Sequence, residues 1–224
     1  MVSLRSSAGF KSAMETANAQ LSLNPKDETA AGVRALVYAN AVDFLGMPNA
    51  QAREGKQKAL ASARELSETN PWTRAAYGLI HMFDDPAGAE RALVTCIEAE
   101  PGFLECHNLY GDLLRKTERS ESAREVYRRA LDRWSSDGEL LVSYALLLQQ
   151  VGQVEAALKV LEDLTREQPD FARGHWHLAG MIYESGGDRA IALREAQSAL
   201  RLDSLIWNGK GFLEILGDAQ TPSP

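Results

Sequence analysis

Between Gly138 and Phe171 the apolar positions fall at a helical spacing. Leu141, Tyr144, Ala145 and Leu148 recur at i, i+3, i+4 and i+7, which sets them on one face. Val151-Gly152-Gln153 breaks the pattern, and glycine ends helices because it enters the left-handed conformation at little steric cost. Ala157, Leu161, Leu164 and Thr165 then form a second apolar stripe, closed by Pro169, whose ring and missing N–H resist continuing a helix. The stretch predicts two helices joined by a tight turn.

The same punctuation recurs on both sides. From Leu104 to Asp137, His107, Tyr110, Gly111 and Leu114 mark a first helix, and Ala123, Tyr127 and Ala130 a second, with Ser135 in the place of the closing proline. Downstream, His175, Leu178, Ala179 and Ile182 are followed by Ala192, Ala196 and Ala199, one residue late. That offset predicts an extra residue at the Gly186-Gly187 turn. The recurrence resembles the tetratricopeptide repeat, a helix pair of about 34 residues. The large, Leu-like and small residues of that family's first helix fall on Leu141, Tyr144 and Ala145, and its next apolar position on Leu148. Its small and bulky second-helix residues fall on Ala157 and Leu161, and its closing proline on Pro169. The resemblance covers residues 104–204.

Toward the N-terminus the units are less regular. Residues 6–22 read as a helix with Phe10, Ala13, Met14, Ala17 and Leu21 on one face, ended by Asn24-Pro25. Asp27 is placed to cap a helix over about 28–45. After a turn at Gly46-Met47-Pro48-Asn49, a second helix carries Ala59, Ala63 and Leu66, giving a degenerate repeat with a long first helix. Asn70-Pro71 and Asp85-Pro86 each read as a cap followed by proline at the first helical position. Between Pro71 and Pro101, Tyr77, Ile80 and Phe83 and then Ala89, Leu93, Cys96 and Ile97 mark a repeat clipped in its turn. Beyond Ser204, Leu205, Ile206, Trp207, Phe212, Leu213 and Leu216 read as a capping helix broken at Gly209 or Gly211. A terminal repeat needs such a cap to cover its inner face.

The resulting expectation is an all-α, right-handed superhelix, an α-solenoid of about five helix pairs in one domain, 1–217. Its parts are an N-terminal helix (1–25), a degenerate repeat (26–71), a shortened repeat (72–103), three regular repeats (104–137, 138–171 and 172–206) and a capping helix (207–217). A disordered tail, 218–224, follows.

Composition narrows the function. Apolar residues make up 45 % of the chain, enough for a core, and no apolar run reaches the roughly 18 residues of a membrane span. The N-terminus lacks the apolar centre of a secretory signal. These features fit a cytoplasmic protein, or equally a piece of a longer periplasmic or membrane-associated chain. Abundant Ala and an excess of Arg over Lys suggest a GC-rich bacterial source. The net charge of −7 opposes nucleic acid as the main partner, since phosphate backbones need a basic footprint. The two cysteines, Cys96 and Cys106, read first as small buried thiols; a disulfide is the alternative in an oxidising compartment.

Catalytic chemistry finds no foothold. The chain has no phosphate-cradling Gly-rich loop, no G-x-S-x-G elbow, no C-x-x-C pair and no H-E-x-x-H. His175 and His177, two apart on a helix, point to different faces, and His107 and His175 occupy core positions. No catalytic residue, metal ligand or cofactor is expected.

The family resemblance implies a partner-binding groove lined by the first helices of successive repeats. Carried over position by position, its lining here includes Asn108 and Arg115, then Val142, Leu146 and Gln149, then Arg173, Trp176, His177 and Tyr183. Trp176 stands one residue after the aromatic position of the pattern, a rotation of about 100° off the core face. With Val142, Leu146 and Tyr183 it would floor an apolar patch, and Arg173 would add a cation for a carboxylate. The carboxylate clamp of one subgroup of the family is not reproduced, because Asp112 and Ser143 stand where basic or amide groups would be needed. The expected function is a non-catalytic adaptor for a protein or peptide, without direct membrane insertion. The alternative is a structural or regulatory domain of a larger bacterial envelope, secretion or motility assembly that makes its contacts through its ends.

Overall fold

The computed structural model describes residues 6–41, 47–206, 212–214 and 216. Among them are eleven helices and no strand: α1 Ser7–Leu23, α2 Glu28–Ala39, α3 Asn49–Leu66, α4 Pro71–Ile80, α5 Pro86–Ala99, α6 Leu104–Lys116, α7 Ser120–Arg133, α8 Gly138–Gln150, α9 Val154–Glu167, α10 Ala172–Glu184 and α11 Arg189–Leu202. The chain forms two compact units, Met1–Arg133 and Trp134–Pro224. After α1 the helices pair in order, as α2–α3 through α10–α11. The architecture is that of an α-solenoid.

Helix ends follow local chemistry. Ser6, Asp27, Asn70, Asp85, Asp137 and Asp188 cap α1, α2, α4, α5, α8 and α11, each side chain accepting a backbone N–H of the first turn. These bonds satisfy donors that the helix itself leaves unpaired. The first helices α6, α8 and α10 each have 13 residues. Their partners α7, α9 and α11 each have 14. Gly152 and Gly186 turn the chain with φ of +78° and +72°. Three residues, 151–153, join α8 to α9, and four, 185–188, join α10 to α11.

In the first unit the irregular repeats depart from the sequence reading. The shortening of the second pair lies in α4, which has only 10 residues, and not in the turn. Phe83 therefore leaves the helical register and is 76 % exposed, where the sequence pattern set it on the inner face, and Met82 is buried instead. In the first pair the long helix is the second, α3, with 18 residues, while α2 ends at Ala39. Trp207, Gly209, Gly211 and the tail 218–224 lie outside the described residues.

Each unit has its own core. In the first, Leu36, Leu60, Leu93 and Leu113 gather with alanines of α2–α5. Alanine at the crossings lets helices approach closely, and Gly111 carries this further. A Cβ there would lie 2.4 Å from the Tyr127 ring, so α6 and α7 meet at a spot that admits no side chain. In the second unit Ala145, Leu148, Leu161, Leu164 and Leu178 share one cluster, all at most 4 % exposed. The apolar stripes read from the sequence are these buried faces.

Cys96 and Cys106 are joined. The disulfide links the last turn of α5 to the first turn of α6, with Cα atoms 6.3 Å apart and both residues fully buried. Burial agrees with the sequence reading, but the preferred free thiols do not occur. The 10-residue separation crosses the Pro101 turn, which folds back far enough to bring the two helix ends together.

Candidate functional site

The expected lining divides between the two units. Asn108 and Arg115 stand on α6 in the first. Val142, Leu146, Gln149, Arg173, Trp176, His177 and Tyr183 stand on α8 and α10 in the second.

On α6, Arg115 is held by its own helix. Its Nη2 donates to Asp112 Oδ1 at 3.0 Å, and the Tyr127 hydroxyl donates to the same oxygen at 2.9 Å. Burial opposes the Arg115 charge, but the Asp112 carboxylate outweighs it and holds the guanidinium in its charged form. Burial likewise pushes the Tyr127 phenol well up. Asp112 thus ties α6 to α7 through Tyr127 and holds Arg115, which does not present a free cation. The Asn108 side-chain oxygen is buried without a hydrogen-bond partner among the described residues.

In the second unit α8 and α10 lie side by side and form a pocket of about 210 Å³. Leu146 and Gln149 line it from α8, Trp176, His177, Gly180, Met181 and Glu184 from α10, and Phe212 from the C-terminal segment. Four of these, Leu146, Gln149, Trp176 and His177, were expected from the repeat pattern. Gln149 Nε2 donates to Glu184 Oε2 at 2.8 Å across the two helices and fixes one end of the pocket.

Three expectations change. Val142 is 1 % exposed and packs in the core cluster, so it faces inward and not toward a ligand. Arg173 already has a carboxylate, for its Nη1 pairs with Glu139 Oε2 of the neighbouring helix. Trp176 is half-buried against the cluster of Ala172, Ala199 and Ile206, and Phe212 meets it edge-on with ring centroids 5.0 Å apart. Phe212 also meets Tyr183 edge-on at 5.8 Å, and the Arg189 guanidinium lies 5.7 Å from the Tyr183 ring centre. The aromatic patch thus carries an intramolecular wall. No local signal in the sequence could have placed Phe212 there, since its contact partners are dozens of residues away. Gly180 was missed because a glycine carries no pattern.

His107 and His175 are structural. His107 Nε2 lies 3.1 Å from the Pro101 carbonyl and His175 Nε2 lies 3.0 Å from the Pro169 carbonyl, so both tie down the turn six residues earlier. His175 Nδ1 also meets Glu195 at 2.6 Å. Burial lowers the His107 pKa. Among the described residues no cluster of His, Cys, Asp and Glu could hold a metal ion, and no helix is long and apolar enough to cross a membrane.

Comparison with known proteins agrees with this architecture. Two family models, each described as tetratricopeptide repeat, match residues 83–138 and 118–179. Together the two matches run over residues 83–179, and repeats of this kind support a protein-interaction adaptor role. Cell division cycle protein 27 homolog A of Arabidopsis thaliana is 38 % identical over 76 residues, which is 34 % of this chain and 10 % of that protein. A structure of human IFIT1 with m7Gppp-AAAA superposes with a TM-score of 0.68 at 16 % identity. It matches 86 % of this chain, which spans 46 % of IFIT1. PilW, a widely conserved type IV pilus biogenesis factor, superposes with a TM-score of 0.60 at 17 % identity, covering 96 % of this chain and 92 % of its own. At these identities the structural likeness is one of fold.

Proposed function

We propose that the protein is a non-catalytic adaptor that holds a segment of a partner protein in the pocket between α8 and α10. The observation that supports this is the pocket itself: half-buried Leu146 and Trp176 supply apolar surface, while Gln149, His177 and Glu184 supply polar edges. Binding pockets combine these features, with apolar walls for affinity and a few polar groups for orientation. With Arg173 paired to Glu139, the acidic edge is Glu184, exposed at the pocket rim and bonded through one oxygen to Gln149, and the partner segment is apolar with a donor or cation at one end. This replaces the acidic peptide that an unpaired Arg173 would have suited.

The test is affinity capture from the source organism followed by titration of the captured partner against Gln149→Ala and His177→Ala. Neither residue belongs to the core, so folding should survive. A loss of about tenfold or more in the double variant supports the site. An unchanged affinity removes it.

The disulfide, rather than any apolar segment, supports a reading of the compartment. A buried bond between Cys96 and Cys106 favours an oxidising environment, because cytosolic thiols are kept reduced. The second reading, a domain of an envelope, secretion or motility assembly, gains from this bond over the cytoplasmic one. Alkylation and mass spectrometry of the protein taken directly from its source would show joined cysteines on this reading and two free thiols on the cytoplasmic one. The net charge of −7 opposes nucleic acid as the principal partner.

A further inference from the structure

A second pocket, of about 250 Å³, lies within the first unit where α3, α4 and α5 meet. Arginine enters it from each helix: Arg64 from α3, Arg74 from α4 and Arg91 from α5. In a chain of net charge −7, this is a local reversal of sign.

The three guanidinium groups are unequally satisfied. Arg64 donates to Glu68, just past the end of its own helix, at 2.6 Å and lies 5.2 Å from the Tyr77 ring centre. That ion pair is exposed, a class of interaction worth little. Arg74 donates from Nη1 to the Thr95 carbonyl at 3.2 Å, a neutral acceptor that leaves its charge uncompensated. Arg91 is exposed and makes no hydrogen bond or ion pair among the described residues. Of the lining hydroxyls, Tyr77 donates to Asp85 at 3.1 Å and Thr95 to the Arg91 carbonyl at 2.7 Å, while Thr73 Oγ1 is buried with no hydrogen-bond partner among the described residues. The guanidinium groups and the Thr73 hydroxyl are therefore the donors the pocket offers, against one lining carboxylate, Glu68.

We infer that this pocket binds a phosphate group carried by a small molecule. Guanidinium forks match oxyanions bidentately and hold their charge at any pH a protein survives. Three forks on three separate helices suit a tetrahedral, multiply charged group better than a planar carboxylate with two oxygens. Bound phosphate would compensate Arg74 and Arg91 and displace Glu68 from Arg64. This site is independent of the pocket between α8 and α10.

The test is calorimetric titration of the full chain with inorganic phosphate, O-phosphoserine and succinate at low ionic strength. Phosphate and phosphoserine should each bind with one-to-one stoichiometry. Arg91→Gln should weaken both by about tenfold, the effect of removing one charge-assisted contact. Arg74→Gln should do the same, and Arg91→Gln keeps the proposal testable if loss of the Thr95 bond unfolds the former. Arg194→Gln, an exposed change of equal charge on α11, should leave both affinities within about twofold. Three results would overturn the inference: no saturable binding of phosphate, equal weakening by Arg194→Gln, or succinate binding as tightly as phosphate. Circular dichroism of each variant checks that helix content is retained.

Discussion

Leu148 shows at the scale of a single residue how the repeat pattern becomes stability. It is 4 % exposed and sits in a cluster with Ala145, Leu161 and Leu178. Leu148→Ala should cost about 2–5 kcal/mol, the range for a buried cavity. Urea unfolding measures this, and a change below about 0.5 kcal/mol would place the residue at the surface. His107 carries a pH signature. Burial depresses its pKa in the folded chain, so the unfolded chain binds more protons as the solution becomes acidic. The stability it confers is present above the unfolded value of about 6.5 and is lost as pH falls through the lower folded value. His107→Gln should therefore flatten the acid side of a melting-temperature profile over that window. An unchanged slope there would contradict the burial effect.

At the scale of the element, what could be read from the sequence was whatever is local. Caps at Asp27, Asn70 and Asp85, prolines at the first helical position and turn glycines each act within a few residues, and each appears where the pattern set it. The extra residue before α11 was legible for the same reason. What failed was non-local or masked by an irregular unit. The helical register in α4 ended too early for Phe83, because three residues are missing from the helix and no local signal separates a short helix from a short turn. Val142 was carried to the groove by position in the repeat, while its burial depends on neighbouring helices. The disulfide depended on the distance between two helix ends that the sequence could place only roughly. Cys96→Ala with Cys106→Ala should lower the free energy of unfolding by about 3 kcal/mol, from the loop closed by the bond. Denaturant titration with and without reductant would show the same difference in the wild type. No effect of reductant, with both cysteines alkylated in the folded chain, would remove the bond from the account.

For the molecule as a whole, function is a property of surfaces left between regular elements. The two units are built alike, yet each leaves a different pocket. The second unit offers a mixed apolar and polar pocket at α8 and α10, and the first an arginine-lined pocket at α3, α4 and α5. Part of the former was legible, since Leu146, Gln149, Trp176 and His177 follow from repeat position. The Phe212 wall was not. It also changes which variant is informative. Trp176 packs on the cluster of Ala172, Ala199 and Ile206 as well as lining the pocket, so Trp176→Ala would confound folding with binding.

Gly180 separates the two effects. It lines the pocket from the middle of α10, and a Cβ built on it would have nothing within 4 Å. Gly180→Ala should raise stability by about 0.5–1 kcal/mol through helix propensity and leave room for a ligand. Gly180→Trp projects a large ring into the same space. The most direct measurement is a titration of the captured partner against these two variants, with thermal melts run alongside. The adaptor account predicts that Gly180→Ala binds within about twofold of wild type, while Gly180→Trp loses about tenfold or more with its fold intact. A folded Gly180→Trp variant that binds the partner as tightly as wild type would contradict it.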